Sequence, residues 1–184
     1  TVRTTVGDVV IDAKTDSSIT AVTFAASMAI GGGATAGIAV SGAGAKATNT
    51  IFGGTRAFLQ DSIVTGARDV VLTANNTADI DATVASVSAS VGLGQTGVAL
   101  AVGASLAENT VGGADKGAVA AFVKDSSLTA AGVLSATATA TQTIDASVLA
   151  GAVGFSGGGL SLALSGAGAS ATNTVGMQVG AFID

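Results

Sequence analysis

The sequence predicts an all-β fold assembled from tandem repeats, and three observations carry that expectation. The first is self-similarity at a fixed spacing. Ala57-Phe58-Leu59-Gln60-Asp61-Ser62 returns as Ala121-Phe122-Val123-Lys124-Asp125-Ser126 and again, shortened, as Ala181-Phe182-Ile183-Asp184. Asn followed by Thr falls at Asn49, Asn109 and Asn173, which are 60 and 64 residues apart. Ile19, Ile80 and Ile144 keep the same period, with spacings of 61 and 64 residues. Recurrence at such a period marks stacked repeat units. The second observation is apolar alternation with period 2, the signal of a strand. The third is the lack of helix signals: the alternating runs are rich in Gly, Thr and Val and carry no Glu/Lys pairs at helical spacing.

The elements follow in order within approximate units 1–61, 62–125 and 126–184. Val22, Phe24, Ala26, Met28 and Ile30 alternate with small or polar residues in the first unit. Val87, Ala89, Val91 and Leu93 do so in the second, and Leu149, Gly151, Val153 and Phe155 in the third. Each run ends in a glycine-rich break: Gly31-Gly32-Gly33, Gly92-Leu93-Gly94 and Gly157-Gly158-Gly159. A second alternating run then begins, as in Val98, Leu100, Val102, Ala104 and Leu106, or Leu160, Leu162 and Leu164. Placing the bulky residues inside sets Val91 and Leu100 toward the core and Ser88 and Ser90 away from it. On that assignment Val91→Asp buries an unpaired carboxylate at a cost of several kcal/mol, and Ser90→Asp is tolerated.

Two architectures fit. In a β-solenoid, a right-handed parallel β-helix, each repeat would supply three coils of about 20 residues stacked at about 4.8 Å, so that three repeats advance the axis by about 43 Å. In the alternative, each glycine break is a true hairpin, and long hairpins stack along an axis. The small residues favour the narrow, tightly stacked solenoid. Asn49, Asn109 and Asn173 fit either a ladder of stacked amides or caps of local turns. The register also closes on itself. Asp69-Val70-Val71 begins eight residues after Asp61, and reading on from Asp184 to Thr1 reaches Asp8-Val9-Val10 after the same eight. The chain is thus expected to be one continuous array, three repeats cut at an arbitrary point.

Composition narrows the function. Hydrophobic residues make up 48% of the chain and charged residues 10%, against roughly 25% charged in an average domain. A chain this apolar is not disordered. With a net charge of −5 and seven scattered Lys and Arg, it lacks the basic cluster that nucleic acid requires. Stretches 17–45, 82–107 and 146–183 contain no charge, but they are full of Gly, Ser and Thr, and Trp and Tyr are absent, so no aromatic girdle marks a membrane barrel. Membrane insertion is not expected.

The pattern carried by residues 57–65 and 69–74, and again from Ala121 to Thr129, resembles the repeats of giant bacterial surface proteins, the filamentous-haemagglutinin-like and leukotoxin-type filamentous adhesins. The resemblance implies a secreted or cell-surface, right-handed β-helical shaft. Ala131-Gly132-Val133 lacks the Asp found at Asp69, so not every repeat requires it.

Chemistry-bearing motifs are few. Gly92-Leu93-Gly94-Gln95-Thr96-Gly97, with Asp115 beyond it, matches the spacing of a dinucleotide fingerprint, but that motif needs a following helix, and here an alternating strand follows. With no His there is no Ser-His-Asp triad. Asp79 and Asp81 share one strand face but have no further catalytic group nearby and read as surface charge. The glycine breaks lack the Asp of a calcium-binding repeat. Thr137, Thr139, Thr141 and Thr143 form one ladder, matched by Thr73, Asn75, Thr77 and Asp79 and so not a regular array. Asn75-Asn76-Thr77 is a single weak glycosylation sequon. All six Phe stand at core-like positions and offer no glycan platform.

The expectation is therefore a shaft segment, not an enzyme, with no catalytic residue, cofactor or metal. Its repeat markers are Asn49, Asn109, Asn173, Phe58, Phe122, Phe182, Asp61, Asp125 and Asp184. Its partners are neighbouring repeats of the same chain or identical chains end to end. The competing class is a β-helical module that binds or cleaves polysaccharide, which would need a groove of clustered charges.

Overall fold

The computed structural model describes residues 1–113 and 117–184; Asp115 lies outside the described residues. The fold is all-β, with ten strands and no helix among the described residues. The first repeat supplies β1 (Val2–Gly32), β2 (Ala36–Ile51) and β3 (Thr55–Gln60). The second supplies β4 (Ile63–Leu93), β5 (Thr96–Gly112) and β6 (Ala118–Lys124). The third supplies β7 (Ser127–Ala130), β8 (Leu134–Gly157), β9 (Leu160–Gly176) and β10 (Gln178–Ile183).

Every strand pairs in parallel with its counterpart in the next repeat. In the long sheet β4 lies between β1 and the β7–β8 pair; β5 lies between β2 and β9, and β6 between β3 and β10. Repeat markers sit side by side: Asn49 beside Asn109 beside Asn173, Phe58 beside Phe122 beside Phe182, and Ile19 beside Ile80 beside Ile144. Each repeat is therefore one layer. This corrects the coil of about 20 residues: a strand's hydrogen-bonded neighbour is a whole repeat away, and three repeats advance the stack by three strand spacings, about 14 Å rather than 43 Å.

The hairpin alternative is corrected as well. Strands flanking a glycine break belong to different sheets, so the break turns the chain without pairing its two arms. Even the turn is tied between layers: Gly33 N–H donates to Leu93 O at 3.1 Å and Gly94 N–H to Gly157 O at 3.2 Å. In each repeat a long strand runs out, turns at the glycines, and two shorter strands return against it through side chains.

The middle layer, covered on both sides, shows what faces inward. Near the base of β4, Val64, Ala67, Val70, Leu72 and Ala74 pack with Ala57, Leu59, Val119, Ala121 and Val123 of β3 and β6. Ala78, Ile80 and Ala82 meet Val111 of β5 in mid-strand. Beyond Val84 the inward positions change character: Ser86, Ser88 and Ser90 are all 0% exposed.

The outward positions change in the opposite sense. Below the midpoint they are polar, with Thr73, Asn75, Thr77, Asp79 and Asp81 in β4; above it they include Val87, Val91 and Leu93. The binary pattern of a single strand thus inverts halfway along its length. This overturns the expected face assignment: Ser88 and Ser90 point inward, Val91 faces outward and Leu100 is 37% exposed. The phenylalanines are not core residues either, since Phe24, Phe52, Phe58, Phe155 and Phe182 are exposed and Phe122 is half-buried.

The cause is the width of this distal arm. Ser105 Oγ, on β5, reaches Ser86 Oγ at 2.8 Å and the main-chain oxygen of Leu149 at 2.7 Å, so one short side chain spans the gap to the facing backbone. A Cβ on Gly103 would stand 2.6 Å from Gly151 O. Only Gly, Ala and Ser fit between sheets this close, and bulky residues have the outer face left to them.

Candidate functional site: ladders between layers

Stacking in register brings like residues together: two of the marker sets form ladders, and the third forms a repeated corner. Asn49 Nδ2 donates to Asn109 Oδ1 at 2.8 Å, and Asn109 Nδ2 donates to Asn173 Oδ1 at 2.9 Å. Between an amide ladder and local turn caps, the structure holds the ladder. All its bonds run in one direction, so the stack has a polarity. Both Asn49 and Asn109 are buried, where an unmade hydrogen bond costs more than a made one returns.

The phenylalanine rings form the second ladder. Phe58 and Phe122 lie 5.2 Å apart, centroid to centroid, at 10° between planes, and Phe122 and Phe182 lie 5.0 Å apart at 6°. Near-parallel rings at this separation follow from strand spacing and contribute about 0.5–1.5 kcal/mol per pair beyond area.

The third set is a corner. Asp61 and Asp125 both have φ of 49°, the left-handed region that Asp and Asn tolerate better than branched residues. The serine after each closes the turn: Ser62 Oγ donates to Gln60 O at 2.9 Å and Ser126 Oγ to Lys124 O at 2.8 Å. Ser62 N–H also donates to Ser126 Oγ at 3.1 Å, which ties one corner to the next layer. The Asp-Ser marker is therefore conformational, a sharp bend between the short sheet and the long one.

Of the ion pairs among the described residues, two join neighbouring layers and two lie within one strand. Arg68 reaches Asp8 in the preceding layer, 2.6 Å from Nη2 to Oδ2 and 2.9 Å from Nε to Oδ1, and also contacts Asp69. Hydrogen bonding to Asp8 holds the Arg68 guanidinium above its ordinary pKa. Asp69 Oδ1 accepts the Val133 N–H from the following layer at 2.8 Å, and a Cβ at Gly132 would collide with that carboxylate. In register, Val133 stands opposite Asp69 and Gly132 opposite Arg68, and the missing side chain at Gly132 leaves room for the carboxylate. Lys46 and Glu108 pair across layers at 2.9 Å. Within β1, the hydrogen bond from Lys14 lowers the pKa of Asp16. These pairs are exposed, where ion pairs contribute little individually.

The other candidates are placed as follows. Asp79 and Asp81 lie on the outer face beside Thr143 and Asp145 of the next layer. Among the described residues no group of three or more His, Cys, Asp or Glu is arranged to hold a metal ion. Gly92 to Gly97 leads into β5, a strand, so no helix N-terminus faces a phosphate there. Thr137, Thr139, Thr141 and Thr143 stand outward beside Thr73, Asn75, Thr77 and Asp79. Sequence reasoning missed the buried serines and the Asp69 clamp. Glycines at Gly92, Gly97 and Gly103, spaced along both facing strands, were the available signal of the close approach.

Comparison with family models, with curated proteins and with solved structures finds no match for this chain.

Proposed function

We propose that this chain is a shaft segment of a secreted or cell-surface filament: a β-solenoid in which one repeat makes one coil. The observation that carries this reading is the continuity of the ladders. Backbone, amide and aromatic ladders all run through three layers in register, and among the described residues each sheet ends on unpaired edges, at β1, β2 and β3 on one side and at β7 with β8, β9 and β10 on the other. Unpaired edges are templates for further strands, and a further repeat carrying the same markers fits either side. Neighbouring repeats of the same chain, or identical chains end to end, are the partners. Its role is length and stiffness rather than catalysis, and the resemblance to filamentous surface proteins supports the extracellular setting.

Electron microscopy of the purified chain tests the proposal. Unbranched filaments with a meridional reflection near 4.8 Å are expected. A monodisperse, capped monomer that shows neither filaments nor that reflection would overturn it.

A further inference from the structure

The inverted pattern of the distal arm calls for an explanation that axial stacking does not supply. In the middle layer, Val87 is 41% exposed, Leu93 51%, Leu100 37% and Val102 50%, although strands flank that layer on both sides. The exposure is lateral, and further axial layers would not cover it. Large apolar residues line up across all three layers in two outer ladders on opposite faces of the arm: Ile30, Val91 and Phe155 form one, and Val40, Leu100 and Leu164 the other. No charged residue lies in 17–45, 82–107 or 146–183, so these faces carry nothing that repels an identical face. In the middle of the same long strand, at Thr73, Asn75, Thr77, Asp79 and Asp81, the outer face is polar, so on β4 the apolar run begins only in the arm.

We infer that the two outer faces of the distal arm are lateral docking surfaces for the arm of a second copy of this chain, so that filaments laminate side by side. The area argues for a filament as the partner rather than a single chain. The apolar stretch runs for about ten residues, roughly 33 Å, and layers stand about 4.8 Å apart, so each repeat offers about 160 Å² per face. A standard interface takes about 800 Å² from each partner, which corresponds to about five layers. Three repeats fall short and a stacked filament exceeds it. Lamination therefore rests on the axial stacking proposed above and follows it in time.

The test compares the chain with a variant that makes both outer ladders polar while keeping β propensity: I30T, V91T, F155T, V40T, L100T and L164T. These side chains point away from the interior, and Thr suits a strand, so axial stacking should survive. Electron microscopy and diffraction on both proteins then separate the two levels. Bundles of parallel filaments are expected from the natural sequence and single filaments from the variant, both with the 4.8 Å reflection. Bundling should persist in 1 M NaCl, because no charge pairing holds it. Bundling unchanged in the variant, or single filaments from the natural sequence, would overturn the lateral surface. Loss of the 4.8 Å reflection from both would instead remove the stacking beneath it. A flotation assay with neutral phosphatidylcholine vesicles closes the remaining possibility: co-flotation of the natural chain in place of bundling would make lipid the occupant and overturn the proposal.

Discussion

Ser90→Asp is expected to be among the most damaging substitutions available, and Val91→Asp, one residue further on, nearly harmless. Ser90 is 0% exposed and faces the second sheet across a gap that serine, alanine and glycine fill. A carboxylate there meets neither water nor a cation, and burying it unpaired costs several kcal/mol. Val91 points outward between Ile30 and Phe155. An Asp at that position loses cross-strand apolar contact and some strand propensity, about 1 kcal/mol. The denaturation midpoint of each variant, compared with the natural chain, checks the pair. A larger loss at Val91 than at Ser90 would mean that the face assignment of the arm is reversed.

Asn109→Ala is the second large effect. Asn109 both accepts from Asn49 and donates to Asn173, so the substitution removes two hydrogen bonds and strands the buried amide of Asn49 on one side, while the exposed Asn173 loses its donor on the other. Leaving the buried Asn49 amide unsatisfied costs about 1–3 kcal/mol, and the bond to the exposed Asn173 contributes about 0.5–1 kcal/mol, so stability should fall by about 2–4 kcal/mol in all. Thr110→Ala, at the next and less buried position, serves as the comparison and should change stability by no more than about 0.5 kcal/mol. Equal effects at the two positions would show that the amides bond to something other than each other.

These two sites mark where sequence reading succeeds and where it stops. The period was legible because in-register stacking sets Asn49 beside Asn109 and Phe58 beside Phe122, so each position answers to the same physical demand in every repeat. The strand runs and glycine breaks were legible from alternation. The phase of that alternation was not. A period of 2 is unchanged when the two faces are exchanged, and the rule that bulky residues lie inside decides the phase only where the interior is wide enough for them. At Leu72 and Ile80 the rule holds; at Ser86, Ser88 and Ser90 the facing backbone is too close, and it fails.

The coil length was misread for a related reason. Alternating runs and breaks divide a repeat into pieces of a solenoid-like length, but nothing local says whether a piece pairs with the next piece or with its own counterpart a repeat later. The markers themselves held the answer: a residue type that returns once per repeat and bonds to its own kind, as Asn109 does, implies one layer per repeat. For the same reason the Asp69 clamp on Val133 N–H was hidden, since its partner is a backbone group 64 residues away.

Mass per unit length, measured by dark-field scanning transmission electron microscopy on single filaments of the polar-faced variant, tests the central claim that each repeat is one layer. A chain of 17.2 kDa spread over three layers of about 4.8 Å gives about 12 kDa per nm. Coils of about 20 residues would spread the same mass over nine layers and give about 4 kDa per nm. A value near 12 is the expected result, and a value near 4 would contradict the layer assignment and every ladder built on it.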